Sequence, residues 1–219
     1  MHISQNLKLI LLLSMGICWT IVYFLIIYRS FKDKTYGMPF TALALNISWE
    51  FIYAFVIIPT TIGIQTFVNR VWFLLDAVIL ITYILYGKKD WKNKELNWLF
   101  IPHLLFVLII SSLLIFYMSF DFEALSITYS AFLMNVVISA LFITMLLNRK
   151  SIKGQSTGIA FFKLIGTLCA TLILFDGFSV FLQLLGFTSF ILDLVYLGML
   201  LNAYKKEKIS ILTRKIVSL

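Results

Sequence analysis

Charged residues are scarce in this 219-residue sequence: they make up 13% of it, whereas an ordinary soluble domain carries about 25%. Hydrophobic residues make up 61%, against roughly 45–50% in soluble proteins. This balance excludes an ordinary soluble domain. Apolar runs of about 20 residues recur along the chain, and each is long enough to cross a hydrocarbon layer of ~30 Å. We therefore predict an integral, multi-pass membrane protein with no room for a separate soluble domain.

Cysteine and proline are also rare. Cys18 and Cys169 both lie within apolar runs, so the sequence has neither a disulfide framework nor a cysteine pair of the metal-binding type. The three prolines, Pro39, Pro59 and Pro102, fall near predicted helix ends, where proline starts or stops a helix without breaking it. The candidate gating helices therefore lack the interruptions that are typical of many transporters.

The hydrophobic pattern predicts an all-α membrane protein, a seven-transmembrane-helix bundle that forms a single domain over residues 1–219. We predict the helices at about 7–28, 38–59, 65–86, 97–119, 125–147, 157–175 and 178–204. Lys and Arg fall almost entirely on alternate connections, at 29–34, 88–94, 149–153 and after residue 204. The positive-inside rule then places the N-terminus outside the cytoplasm and the C-terminus inside it.

The net charge of +8 reflects this topology and contact with anionic lipids. Because no basic patch is interleaved with aromatic residues, we expect no nucleic-acid partner. The sequence fits either a bacterial inner membrane or a membrane of the endoplasmic-reticulum type.

Placing a polar side chain inside a membrane costs free energy, so such residues usually have a structural or functional role. Helical spacing predicts that those on each helix share one face, and we expect the faces to converge on one interior cavity. The candidates are Asn46, Trp49, Glu50 and Tyr53 on the second helix, Asn69, Trp72 and Asp76 on the third, Asn135 on the fifth, and Asp193 and Tyr196 on the seventh.

Two carboxyl groups at mid-depth, Glu50 and Asp193, are the candidate catalytic residues. Removal from water disfavours the charged form of a carboxyl, which allows either group to stay protonated and to act as a general acid. The alternative is a protonated carboxyl that only bonds to a neighbouring helix. Asp76 equally suits a structural ion pair with Arg70, and Lys163 is expected to extend to the membrane surface in a structural role.

The motifs resemble those of the small seven-helix membrane terpene cyclases of fungal meroterpenoid and indole-diterpene pathways, which have bacterial relatives. The second helix has the pattern MP-x-x-AL-x-x-N-x-x-WE-x-x-Y from Met38 to Tyr53. The third helix adds Arg70-x-Trp72 and Asp76, and the seventh adds Asp193-x-x-Tyr196. Between them, the family pattern is matched by Arg149, by Gly154-Gln155-Ser156 and by Gly166-Thr167-Leu168.

This resemblance implies an isomerase- or lyase-type cyclase that does not ionise a diphosphate. Such an enzyme protonates an epoxide or alkene of a prenyl chain, and Glu50 and Asp193 match the family's essential acids. It implies no cofactor and no metal, and a lipophilic substrate taken from the bilayer. A dry cavity with aromatic walls suits this chemistry independently, because Trp and Tyr faces stabilise cations. The sequence has no Asp-rich cluster for binding a diphosphate.

Two other functions compete with the cyclase. A retinal photoreceptor needs a lysine in the middle of the seventh helix, and the predicted helix has none before Lys205. A proton-coupled small-molecule transporter is the stronger alternative, because carboxyl, Asn and Tyr side chains around a mid-membrane cavity also suit alternating access.

Overall fold

The apolar segments fold into seven α-helices in the part of the chain that the structure describes, residues 3–58, 63–91, 94–122 and 125–209. In this computed structural model the helices are α1 (Gln5–Asp33), α2 (Phe40–Phe51), α3 (Ile64–Tyr86), α4 (Phe100–Asp121), α5 (Ser126–Arg149), α6 (Thr157–Ile173) and α7 (Val180–Lys206). The same ranges contain no β-strand. The predicted all-α class is therefore confirmed.

Short polar signals in the sequence set several helix ends. Ser4, Ser156 and Ser179 precede α1, α6 and α7, and each hydroxyl accepts a hydrogen bond from the backbone amide three residues later. At the other end of α1 and α5, Lys34 and Lys150 adopt left-handed conformations with φ of 51° and 52°. These conformations end both helices at a basic connection.

The predicted bounds differ from the structure mainly on the first two helices. α1 continues beyond the predicted end at residue 28 to Asp33, because Arg29 is only 6% exposed and pairs at 2.9 Å with Asp33 inside the last turns. α2 begins at Phe40 rather than Met38, after Pro39. Its predicted end, Pro59, lies outside the described residues. The bounds of the other five helices agree to within three residues.

Length and composition support an integral membrane protein. Five helices, α1, α3, α4, α5 and α7, are long and apolar enough to span a membrane. α6 has 17 residues, and α2 reaches the same length together with a π-helical turn at Ile52–Val56, so both lie at the short end of the range for spanning helices. The orientation of the termini remains a prediction.

Six helices surround the interior of the bundle. α1 packs between α3 and α6, α7 packs between α6 and α5, and α2 packs between α5 and α3. α4 lies outside this ring, against α2 and α5. The ring places the polar faces of α2, α3, α5, α6 and α7 toward a shared interior, and it positions the site described next.

Candidate active site

A cavity of about 360 Å³ lies between α1, α2, α3, α5 and α6. It occupies the end of the bundle at which α1, α3 and α5 begin, which is the predicted non-cytoplasmic end. Its wall is mostly apolar, as expected of a site for a lipophilic small molecule. The polar or aromatic side chains that line it are Lys8, Trp19, Tyr23, Asn46, Trp49, Glu50, Gln65, Trp72, Thr128, Phe132, Asn135, Thr167 and Phe178.

Glu50 is the carboxyl-bearing residue that lines this cavity. The residue is 2% exposed, and its Oε1 accepts a long hydrogen bond of 3.4 Å from the Tyr23 hydroxyl. Its Oε2 is buried and has no hydrogen-bond partner. Among the described residues, no Lys, Arg or His pairs with Glu50. One carboxyl oxygen therefore has no partner, in a residue that lines the cavity.

A hydrogen-bonded network of Tyr23, Asn46 and Asp76 holds this carboxyl group. The Asn46 amide donates to the Tyr23 hydroxyl and, at 2.7 Å, to Oδ2 of Asp76. Asp76 is fully buried and does not line the cavity. The alternative ion pair with Arg70 is wrong, because the guanidinium of Arg70 instead donates to the backbone oxygen of Ala54 at 3.3 Å. Asp76 therefore supports Asn46 and lies behind the wall of the cavity.

Two tryptophans of the cavity wall are fixed by their indole N–H groups. Trp49 Nε1 donates to Ser130 Oγ at 2.9 Å, and Trp72 Nε1 donates to Thr20 Oγ1 at 3.0 Å. The Trp72 ring also packs against Tyr23, with centroids 5.9 Å apart. Each hydrogen bond holds the edge of an indole, so the ring positions are set by the protein rather than by a ligand.

Asp193 does not lie on the cavity wall, contrary to the expected convergence of all the polar faces. Its Oδ1 forms an ion pair of 2.5 Å with Nζ of Lys163, and its Oδ2 accepts from Thr167 Oγ1 at 2.7 Å. The expectation that Lys163 extends to the membrane surface is also wrong. Lys163 is 0% exposed, because α6 presents it to the carboxylate on α7.

Thr167 and Asn135 connect Asp193 to the cavity. Both residues line the cavity, and Asn135 Nδ2 donates to Thr167 Oγ1 at 3.3 Å. The Asn135 carbonyl oxygen is buried and has no partner. Asp193 is therefore linked to the cavity through two intervening side chains, whereas Glu50 itself lines the cavity.

The remaining predicted site residues, Tyr53, Asn69 and Tyr196, do not line the cavity. The Tyr53 hydroxyl is 3.4 Å from Ser130 Oγ, and this residue lies in the π-helical turn that follows Glu50. Asn69 accepts at 2.7 Å from Gln65, which does line the cavity. The Tyr196 hydroxyl donates to Gln155 at 3.0 Å. These three residues therefore lie outside the cavity wall.

Comparison with known proteins identifies the family of the chain. The family model of Pyr4-like transmembrane terpene cyclases matches residues 2–206. The chain belongs to this family. It is 30% identical to the Pyr4-family terpene cyclase mfmH of Annulohypoxylon moriforme over 168 residues, which cover 74% of this chain and 68% of the relative. It is 32% identical to asnovolin H synthase nvfL of Aspergillus novofumigatus over 172 residues, with coverage of 76% and 68%. No solved structure matches the chain.

This Pyr4-like protein is thus a membrane-bound terpene cyclase, and its curated relatives include the terpene cyclase pyr4 of Aspergillus fumigatus, 36% identical over 85 residues that cover 39% of this chain and 35% of that relative. In the described part of the cyclase, no three His, Cys, Asp or Glu side chains are grouped so that they could hold a metal ion.

Sequence reasoning did not place in the site the α1 pair Trp19 and Tyr23 or the α6 pair Lys163 and Thr167. It also did not place there the lining residues Lys8, Gln65, Thr128, Phe132 and Phe178. A detectable signal existed for both pairs, since each is spaced i, i+4 and therefore shares one helix face. The α1 pair carries aromatic rings, which are ordinary in an apolar helix, and was passed over for that reason. The α6 pair carries polar groups within an apolar run, a pattern that marks an interior face.

Proposed function

We propose that this cyclase starts its reaction with a proton from Glu50, delivered to an epoxide or alkene of a prenyl chain. The observation that carries the proposal is the buried, unpartnered Oε2 of Glu50, a residue that lines an apolar cavity. A second buried carboxyl, Asp76, belongs to the same network, and no cation pairs with either group among the described residues. Burying unpaired carboxylates is costly, which favours a neutral Glu50 that still holds its proton.

The proposed reaction conserves atoms and electrons. Glu50 transfers its proton to the epoxide oxygen, the C–O bond breaks, and a carbocation forms on the more substituted carbon. A neighbouring alkene then donates its π electrons to this carbon and closes a ring, which moves the positive charge along the chain. A carbon beside the final cation then loses a proton, which returns the Glu50 carboxylate to its acid form, and a new alkene remains. The proton that enters is balanced by the one that leaves, so the product is an isomer of the substrate.

The cavity wall supports this chemistry in two ways. Apolar residues keep water from capturing the cation, and an excluded-water site also strengthens the interactions inside it. The rings of Trp19, Trp49 and Trp72 border the cavity, and an aromatic face attracts a cation by about 0.5–2 kcal/mol. Because hydrogen bonds hold two of these rings, they stabilise charge without first rearranging.

A lipophilic prenyl-chain substrate that enters from the bilayer fits this wall. We also propose that the whole chain acts as one domain, in contact with membrane lipids, in either a bacterial inner membrane or an endoplasmic-reticulum-type membrane. Neither a cofactor nor a nucleic acid has a role in this proposal.

Proton-coupled transport remains the alternative, because a second cavity of about 630 Å³ lies at the opposite end of the bundle. Its wall includes charged side chains of the basic connections, among them Lys34, Lys89, Arg149 and Lys153. Two cavities at opposite ends are compatible with alternating access. A transporter would return the fed compound unchanged, whereas a cyclase would convert it.

Product analysis tests the proposal. Membranes that contain the protein are fed farnesyl- and geranylgeranyl-type compounds with and without a terminal epoxide, and the extracts are searched by mass spectrometry for isomers of each compound. We expect a cyclised isomer of at least one compound, absent from membranes that contain Glu50→Gln. Ser48→Ala is the matched control, because Ser48 is equally buried on α2 but faces Ser112 of α4 at 2.9 Å. Equal product from wild type and Glu50→Gln would refute the proposal.

A further inference from the structure

Lys163 is the buried charge that the proposed reaction leaves unexplained. Its side chain is 0% exposed, within an apolar helix. Nζ pairs with Asp193 at 2.5 Å and donates to Ser139 Oγ at 2.6 Å. It also lies 5.5 Å from the centroid of the Trp19 ring and 6.0 Å from that of Phe142. Each neighbour stabilises the ammonium form.

Stability alone does not account for such a pair. Taking two charges out of water costs about as much as their attraction returns, and well-packed apolar residues often replace a buried pair without loss of stability. Lys163 and Asp193 therefore need another reason to be retained in the interior of the bundle.

Hydrogen-bond directions supply that reason. A lysine ammonium only donates, and an ionised carboxylate only accepts. Asp193 therefore receives hydrogen bonds from Lys163 on one oxygen and from the Thr167 hydroxyl on the other. Since the single proton of Thr167 is directed to Asp193, its oxygen must accept, and it accepts from the Asn135 amide.

The direction of these successive hydrogen bonds determines which side-chain atom of Asn135 faces away from Thr167. The amide nitrogen is committed to Thr167, and the carbonyl oxygen is left buried without a partner in a residue that lines the cavity. A buried carbonyl oxygen without a hydrogen-bond donor costs free energy, and a donor group on a bound molecule would remove that cost. A protonated Asp193 would itself donate a hydrogen bond, and the donor and acceptor of each following hydrogen bond would no longer be fixed.

We propose that Lys163 is a positioning residue that keeps Asp193 ionised and thereby fixes Asn135 with its carbonyl oxygen toward the cavity, where it accepts a hydrogen bond from a hydroxyl group of the substrate. This inference rests on the proposed cyclase function. It adds that the prenyl substrate carries a hydroxyl group apart from the reacting epoxide or alkene, and that Asp193 is not the proton donor.

Infrared difference spectroscopy on purified protein in nanodiscs tests the charge state without any substrate. Subtracting the spectrum of Asp193→Asn from that of wild type should leave a carboxylate band. The same subtraction in a Lys163→Met background should leave the band of a protonated carboxyl. A protonated-carboxyl band for Asp193 in the wild type would overturn the proposal, even if the protein proves to have no cyclase activity or Lys163→Met does not fold.

Kinetics test the effect on the cavity. The probes are a terminal-epoxide farnesyl compound that carries a phenolic hydroxyl and its methyl ether. The wild type should convert the hydroxyl compound with the lower KM. Lys163→Met and Asn135→Leu should each lose this discrimination, and Lys163→Met should also lose turnover on the order of 10²-fold through misplacement of the bound substrate.

A matched control separates positioning from packing. Ser189→Ala removes a fully buried hydroxyl on α7, one turn from Asp193, that has no hydrogen-bond partner. It should keep both the turnover and the preference for the hydroxyl compound. If folded Lys163→Met also keeps both, Lys163 has no positioning role and the proposal fails. A failure of the cyclase proposal looks different, since the wild type would then form no cyclised product from either probe.

Discussion

Replacing Glu50 by Gln separates the catalytic from the structural interpretation of this carboxyl. The amide has nearly the same shape and still accepts the 3.4 Å hydrogen bond from Tyr23, but it has no acidic proton. The position of Oε2 has no partner, so an N–H₂ group there leaves about as many unmade hydrogen bonds as a protonated carboxyl does. We therefore expect the free energy of unfolding to change by less than about 1.5 kcal/mol.

The effect on catalysis should be far larger. General-acid catalysis typically contributes ~10²–10⁴-fold, which corresponds to about 2.7–5.4 kcal/mol in the activation barrier. The assay is the initial rate of cyclised product at saturating substrate, per mole of folded protein in membranes of wild type, Glu50→Gln and Ser48→Ala. If Glu50 is only structural, folded Glu50→Gln will cyclise at the wild-type rate, and the assignment of the acid must then be abandoned. A transporter with this substitution would still exchange ligand across vesicles while losing uphill uptake.

Four further predictions address topology, metal dependence, cavity shape and the second carboxyl. Reporter fusions after Lys34 should be cytoplasmic and those after Phe122 should not, since basic connections stay inside; a cytoplasmic signal at Phe122 would refute the topology. Turnover should survive EDTA, because the proposed trigger is a proton of the protein, and loss of turnover with rescue by Mg²⁺ would contradict this. Gly166→Val should alter the ratio of products, because a Cβ at Gly166 would lie 3.0 Å from the Trp19 ring and displace it toward the cavity; an unchanged ratio from folded protein would count against this wall. Asp193→Asn should retain residual product formation by the rate assay, unlike Glu50→Gln.

Helical spacing predicts which polar and aromatic residues of α2 and α3 share a face, and only some of these residues line the cavity. Asn46, Trp49 and Glu50 occupy adjacent positions of one α2 face, and Trp72 meets them from the facing helix. These faces are buried because a strongly polar face in an apolar helix must turn inward. The seven helices followed from the apolar runs for a similar reason, since lipid requires every backbone polar group to be satisfied within a helix.

The position of Asp193 was not predictable from the same rules. Spacing places Asp193 and Tyr196 on one face of α7 but does not identify the helix that this face meets. In the structure it meets α6 and α5, so Thr167 lies between the carboxylate and the cavity, and Lys163 pairs with the carboxylate. The error on Lys163 has the same origin: a lone lysine in an apolar helix is expected to extend to the surface unless its acidic partner, 30 residues later, is known to lie opposite.

The two candidate carboxyls thus differ in their surroundings, and the proposed mechanism gives them different roles for this reason. Pairs of acidic groups divide into proton donor and fixed charge when their environments favour different protonation states. Glu50 has a neutral tyrosine as its hydrogen-bond partner and no paired cation among the described residues, whereas Asp193 contacts an ammonium group and a hydroxyl donor. If these surroundings determine function, Glu50→Gln should leave the substrate untouched because no cation forms. Asp193→Asn should still start the reaction but hold the substrate less well, and its activity should therefore depend on whether the substrate carries the hydroxyl that Asn135 accepts.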